Sequence, residues 1–129
     1  SFDPILGHIS TFAGHPVICA ASAATLKVLS SIDFKEVECI GEFIENSLLE
    51  QPLVQEIRRI GLMFAIDMPN AEIVNKIVTT CMDRGLLTYW FLSHPESFRL
   101  SPPLTISMEE AEKAVKIMLE VMEEISARN

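Results

Sequence analysis

The sequence predicts a small α+β fold, in which a mostly antiparallel sheet has helices packed on one side. Apolar residues recur at helical spacing over residues 37–48, 73–81 and 111–125, and the first of these segments has glutamates on its other face. Short runs of strand-forming residues lie between these segments. The resulting order is two helices, two strands, a helix, two strands and a helix, which is typical of such a layer.

The first predicted helix runs from about Pro16 to Ser30 and follows a loop of small polar residues. Pro16 suits a first helical turn because its missing N–H would be unpaired there and its φ is already near the helical value. The helix is apolar on almost every face, since only Ser22, Thr25 and Lys27 interrupt it. This composition predicts a buried helix over residues 16–30.

Local signals define the ends of the other helices. Asp33 is a candidate N-cap for the second helix, with Glu36 as the reciprocal half of a capping box, and Asn70 begins the third. Gly85 follows the third helix as a C-terminal cap. Ser107 and Glu110 have the spacing of a capping box at the start of the last helix, so each is expected to bond the other's backbone N–H.

Four short runs predict the strands. Residues 54–58 alternate in polarity, and residues 62–66 form a nearly all-apolar run that predicts a buried strand. Residues 86–91 carry the strongest strand signal because they are rich in aromatic side chains. Residues 97–100 predict a short returning strand. Pro102 and Pro103 then end the pairing, because neither donates an N–H.

Length and charge narrow the class of protein. The 129 residues fit one domain, and 49% of them are hydrophobic, as in globular proteins. No apolar run reaches the roughly 18 residues of a membrane span, so no membrane partner is expected. The net charge of −8 would repel a phosphate backbone, which argues against nucleic acid as a partner.

The cysteines and the first residues suggest a cellular location. Cys19, Cys39 and Cys81 are odd in number and fall on apolar helical positions, which predicts buried, reduced thiols in the cytosol. The N-terminal residues lack the basic start and apolar stretch of a signal peptide. A cytoplasmic location is therefore expected. No Cys or His pair has the spacing of metal ligands, so no metal site is predicted.

Reactive groups are few, and the residues alone predict no catalytic residue. Ser10 and Thr11 precede the first helix, where hydroxyls and free N–H groups suit a phosphate, although capping or turn hydrogen bonds are the alternative. Arg99 lies on a short apolar strand. Its planar donor fork matches a carboxylate ligand, and a structural ion pair is the alternative.

Four ordered segments resemble motifs of the class III pyridoxal-phosphate-dependent aminotransferases, which include the acetylornithine, ornithine and 4-aminobutyrate enzymes. Residues 10–17, STFAGHPV, resemble the segment after the active-site lysine, with His15 where the family usually has Asn. Residues 58–63, RRIGLM, resemble its R-G-x-G-L-M signal. Residues 84–87, RGLL, and residues 98–104, FRLSPPL, resemble its R-G-L-L step and its R-x-x-P-P-L element.

The resemblance implies a C-terminal small domain of a fold-type I enzyme, whose residues 1–15 contact the cofactor of the partner subunit. Ser10 and Thr11 would then bind the phosphate of pyridoxal 5′-phosphate, and Arg99 the α-carboxylate of the substrate. The parent would be a homodimer that transfers an amino group between an ornithine- or acetylornithine-like amino acid and a 2-oxo acid. The lysine that carries the cofactor would lie before Ser1, so this chain alone is expected to be inactive.

Two other functions remain open from the residues themselves. A stand-alone interaction domain, without catalytic activity, would dimerise through the apolar helix at 16–30. A small-ligand regulatory module would fit the alternation of strands and helices, but the sequence has no obvious ligand-binding cluster. A large domain encoded upstream, with a lysine after an apolar strand, would favour the enzyme over both alternatives.

Overall fold

The computed structural model describes residues 11–127. They belong to two compact units, which comprise Ser1–Ile32 and Asp33–Asn129. The expected single domain over residues 1–129 stays a prediction.

The first unit contains helix α1 (Pro16–Leu29), preceded by a turn at residues 11–14. Gly14 has a φ of 81° in this turn, a conformation that glycine adopts without strain. His15 is the N-cap, because its Nδ1 accepts a hydrogen bond from the Val17 N–H at 3.3 Å. The helix therefore begins at Pro16, as predicted, and His15 caps it as an Asn would.

The predicted burial of α1 stays a prediction. None of its residues is buried, and Val17 and Leu26 are 69% and 65% exposed. An all-apolar helix needs cover on several sides, and the first unit by itself contains no second helix or strand among its described residues.

The second unit is a four-stranded antiparallel sheet with three helices, which confirms the predicted α+β class. The strands lie in the order β1-β2-β4-β3, and every neighbouring pair is antiparallel. The elements in chain order are α2 (Phe34–Leu49), β1 (Glu56–Ile60), β2 (Met63–Asp67), α3 (Ala71–Asp83), β3 (Tyr89–Trp90), β4 (Ser97–Leu100) and α4 (Met108–Ala127).

Alternation along the two central strands separates a buried face from an exposed one. Phe64 and Ile66 of β2 lie opposite Leu100 and Phe98 of β4, and all four are buried. Because side chains alternate, the residues between them point to the opposite face. The buried face meets a helix core whose fully buried members include Ile40, Ile44, Leu48, Val74, Ile77, Met118 and Met122.

The predicted helix starts and the Ser107–Glu110 capping box are confirmed, but within residues 11–127 Glu36 accepts no bond from the Asp33 N–H, so the predicted box at α2 is wrong. Asp33 Oδ1 accepts from the Lys35 N–H at 2.9 Å, and Asn70 Oδ1 accepts from the Ile73 N–H at 2.9 Å. In the capping box, the Ser107 N–H donates to Glu110 Oε2 at 2.9 Å and the Glu110 N–H donates to Ser107 Oγ at 3.2 Å. These bonds satisfy N–H groups that have no partner inside the helix.

The strand predicted at residues 86–91 is shorter in the structure. Only Tyr89 and Trp90 are paired as a strand, opposite Arg99 and Phe98. Residues 87 and 88, which would continue this register opposite Ser101 and Leu100, are not paired as a strand. The aromatic composition therefore identified the strand but overestimated its length.

Of the three cysteines, only Cys81 is buried, and burial raises the pKa of its thiol to about 11. Cys19 and Cys39 are exposed, so their predicted burial is wrong. Between residues 11 and 127, no single helix is long and apolar enough to cross a membrane. The consecutive pair α1 and α2 meets that test together, by length and composition only.

Candidate functional site

The face of the sheet opposite the helices, called the open face here, carries the guanidinium predicted to bind a carboxylate. Arg99 is exposed on β4, between the buried Phe98 and Leu100. Its neighbours across the strands are Ala65 of β2 and Tyr89 of β3. The alternation of β4 thus fixes two apolar side chains in the core and presents one cation on the other side.

Arg99 has no structural ion pair within residues 11–127, where no carboxylate oxygen lies within 4.0 Å of its guanidinium. Its guanidinium carbon instead lies over the Tyr89 ring, 5.6 Å from the ring centroid. An aromatic ring attracts the cation but accepts none of the bonds that the donor fork makes to a carboxylate. The donors of Arg99 therefore have no carboxylate partner in the described chain.

A second arginine on the open face is neutralised. Arg58 Nη2 lies 2.6 Å from Asp67 Oδ1, and Ser97 Oγ donates to the same oxygen. Burial raises the pKa of Asp67, but the bonds from Ser97 and Arg58 and nearby positive charge outweigh it, so the net pKa is lowered. His94 Nε2 lies 3.9 Å from this oxygen. The cluster has an evident structural role, unlike Arg99.

Arg99 also lines a cleft of about 490 Å³ at the end of the sheet. Tyr89, Leu87, Pro102 and Ile106 contribute to its mostly apolar lining. Glu110 also lines the cleft, but its carboxylate already accepts bonds from Ser107, so the cleft still suits a small ligand with one anionic group near Arg99 and an apolar part. Arg99 can provide the charge contact for a ligand of this kind.

Thr88 anchors the Arg99 backbone. Its buried hydroxyl donates to the Arg99 carbonyl at 2.7 Å. Sequence reasoning did not identify Thr88 or Tyr89 as neighbours of Arg99. The turn at residues 94–96 could have indicated this proximity, because pairing the strands before and after the turn brings Thr88 and Tyr89 close to Arg99.

The predicted phosphate ligands lie in the first unit. Ser10 lies outside the described residues, and Thr11 is exposed in the turn that precedes α1. A hydroxyl near a helix N-terminus is compatible with a phosphate, because that end carries partial positive charge. Thr11 and Arg99 belong to different units, and the role assigned to each stays a prediction.

Metal ligation has no candidate within residues 11–127, where no three His, Cys, Asp or Glu side chains are grouped as a metal site requires. The titratable groups that are brought together form ion pairs. Arg84, for example, pairs with Glu124 and lies 3.6 Å from Glu120.

Comparison with known proteins identifies relatives over nearly the whole chain. Residues 2–122 match the family described as Aminotransferase class-III. The acetylornithine aminotransferase of Haemophilus ducreyi is 34% identical over 92% of this chain, and the putrescine aminotransferase of Pectobacterium atrosepticum is 33% identical over 96%. These matches cover 29% and 28% of the two relatives, so the chain spans under a third of their length.

Solved structures agree with the sequence matches. The ornithine aminotransferase of Toxoplasma gondii ME49 superposes with a TM-score of 0.80 at 25% identity, over 93% of this chain and 30% of that one. Acetylornithine aminotransferase from Elizabethkingia anophelis gives 0.77 at 28% identity, over 91% and 31%. The family depends on pyridoxal 5′-phosphate, which partly occupies the active site in a T. gondii ornithine aminotransferase structure. The chain belongs to the class III aminotransferases.

Proposed function

We propose that this chain is the C-terminal part of an aminotransferase that transfers an amino group between an ornithine- or acetylornithine-like amino acid and a 2-oxo acid. The names of the H. ducreyi and T. gondii relatives support this donor class. The observation that carries the proposal is the exposed Arg99, which lacks a carboxylate partner within residues 11–127. The other arginine of the open face, Arg58, is paired with Asp67, so Arg99 is the guanidinium there whose donors suit an anionic ligand.

Arg99 binds the substrate carboxylate in this proposal. A guanidinium presents two parallel N–H groups that match the two oxygens of a carboxylate. Lysine offers a compact charge that cannot make the same paired contact. The Phe98–Arg99–Leu100 alternation supports the role, because burial of the two neighbours holds the strand while Arg99 stays accessible.

Ser10 and Thr11 are proposed to bind the cofactor phosphate. The exposed Thr11 hydroxyl and the adjoining N-terminus of α1 fit a phosphate dianion chemically. Pyridoxal phosphate, when bound, supplies the electron sink for chemistry at the substrate α-carbon. None of the lysines in this chain occupies the family's lysine position, so we propose that the chain alone is inactive.

A homodimer and a cytoplasmic location complete the proposal. The exposed apolar surface of α1 supports assembly with another subunit, because apolar surface of this kind favours burial. The same observation favours the second candidate function, a stand-alone interaction domain that dimerises through α1. The aminotransferase and the interaction domain differ in whether Arg99 binds a substrate.

Kinetics of the complete gene product that contains this chain test the enzyme proposal. Arg99→Lys should reduce kcat/KM for an amino-acid donor by about 1–3 kcal/mol, or roughly 5- to 150-fold, because one point contact replaces a two-bond contact. Putrescine has no carboxylate, so its kcat/KM should fall much less.

The matched control is Arg84→Lys, since Arg84 is already paired with Glu124. It should leave both donors nearly unchanged. Unchanged amino-acid kinetics in Arg99→Lys would remove Arg99 from the substrate site. Absence of transamination by the wild-type gene product, together with dimerisation, would instead support the interaction domain.

A further inference from the structure

Tyr89 and Arg99 form an isolated pair on the open face. They are register partners in the antiparallel β3–β4 ladder, and the Arg99 guanidinium carbon lies over the Tyr89 ring at 5.6 Å from its centroid. Tyr89 is 48% exposed, so its ring is not held in the core. The pair lines the cleft at the end of the sheet.

The contact with the Tyr89 ring restricts the Arg99 side chain but leaves its N–H donors available to a ligand. An arginine side chain has many rotamers, and fixing it on a ligand costs conformational entropy. A ring beneath the guanidinium reduces that freedom before the ligand arrives. A carboxylate partner would also restrict the side chain, as Asp67 does for Arg58, but it would take the donors that a ligand needs.

The backbone supports the same alignment. β3 has only two residues, so few ladder bonds hold it against β4. The buried Thr88 hydroxyl adds a bond to the Arg99 carbonyl at 2.7 Å, immediately before Tyr89 in the chain. This bond fixes the Tyr89 backbone against the backbone of the residue that its ring contacts.

We propose that Tyr89 is a positioning residue that holds the Arg99 guanidinium ready for a carboxylate, so that this face prefers carboxylate ligands over other small anions of the same charge. The inference rests on the proposed role of Arg99 in binding a substrate carboxylate. Tyr89 acts through its ring, and its hydroxyl is not required.

Side-chain NMR of the 129-residue chain tests the proposal without relying on activity. The Arg99 Nε–Hε resonance should show an aromatic ring-current shift in the wild type, keep it in Tyr89→Phe and lose it in Tyr89→Leu. Titration with acetate should move this resonance in the wild type. The acetate Kd should rise about two- to fivefold in Tyr89→Leu, as expected for losing an exposed cation–π contact, and stay unchanged in Tyr89→Phe.

Trp90→Leu is the matched control. Trp90 lies next to Tyr89 in β3 with a similar exposure of 41%, but it pairs with Phe98 and points to the other face. Its loss should therefore leave the Arg99 resonance and the acetate Kd unchanged, whereas a general weakening of β3 would affect both variants alike. Chloride serves as the comparison anion, and its effect should be the same in the wild type and in Tyr89→Leu.

The outcomes distinguish a failure of the positioning role of Tyr89 from a failure of the carboxylate-binding role of Arg99. Equal acetate binding in the wild type and in Tyr89→Leu, or an equal loss in Trp90→Leu, overturns the positioning role and leaves the role of Arg99 intact. An Arg99 resonance in the wild type that does not respond to acetate overturns the carboxylate role itself, and the function assigned to Tyr89 falls with it.

Discussion

Gly41 of α2 lies directly against the guanidinium of Arg59. A Cβ atom at position 41 would be 2.6 Å from Arg59 Nη1 and 2.7 Å from the Gly61 carbonyl oxygen. Arg59 also bonds Glu45 at 2.8 Å and Glu38 at 2.7 Å, and these carboxylate bonds raise its pKa despite its burial. One arginine on β1 therefore joins the β1–β2 hairpin to α2 at a point where only glycine leaves room.

Gly41→Ala should destabilise the chain by about 1–3 kcal/mol, because the added methyl group meets backbone as well as side chain. The better helix propensity of alanine offsets less than about 1 kcal/mol of this loss. The free energy of unfolding in urea measures the difference. Glu42→Ala, an exposed change in the same helix, should stay within about 0.5 kcal/mol. Equal stability of Gly41→Ala and the wild type would show that α2 shifts freely.

Asp67 should make stability depend on acid pH. Its pKa is lowered in the folded chain, so its contribution is present above the unfolded value of about 3.9 and is lost as pH falls through the folded value. Asp67→Asn should cost about 1–2 kcal/mol at pH 7, and the difference should shrink below about pH 4. Denaturation across this range measures it, with the exposed Asp83→Asn as control. A difference independent of pH would contradict the assignment.

Thr11 is expected to matter for cofactor retention in the complete gene product. Thr11→Val removes a hydroxyl bond to a charged phosphate and should weaken binding by about 1.5–3 kcal/mol, which is roughly 10- to 150-fold. Cofactor absorbance per subunit after gel filtration is the readout. The control is Thr25→Val, since the Thr25 hydroxyl is engaged within α1 by the Ala21 carbonyl at 2.9 Å. If both variants keep the cofactor equally, Thr11 is not a phosphate ligand.

The exposed α1 predicts self-association of the 129-residue chain. Sedimentation velocity should show a species larger than a monomer, and Leu26→Glu should shift the population toward the monomer by placing a charge on the apolar surface. Ile60→Glu places the same charge on another apolar residue, 84% exposed, in the β1–β2 hairpin. An equal response to both changes would mean that association does not depend on α1, and a monomer at high concentration would contradict the prediction.

Features that depend on near neighbours in sequence were predictable. The capping box of Ser107 and Glu110 needs only three residues of spacing, and the glycine at position 85 indicates a helix end. In the structure, Gly85 has a φ of 84° and the Leu86 N–H bonds the Cys81 carbonyl at 2.9 Å, as in a glycine-terminated helix. The order of helices and strands could be predicted from such signals because each one marks where an element begins or ends.

Features that depend on distant residues were not predictable. The bonds from Arg59 to Glu38 and Glu45 cross 21 and 14 residues, and no local pattern indicates them. Likewise, the composition of α1 does not specify which surface packs against it. Arg99 was recognisable as unusual on an apolar strand. Predicting its contact with Tyr89, however, would have required the pairing register of β3 and β4.

The strict alternation of β4 has a consequence for any attempt to redesign this face. The side chain at position 99 is exposed while those at positions 98 and 100 are buried in the interior, so replacing Arg99 leaves the scaffold intact. Inserting one amino acid before Phe98 would invert that division, forcing a guanidinium among hydrocarbon and two large apolar groups into water. The open face can therefore be altered by replacing Arg99 but not by an insertion in β4.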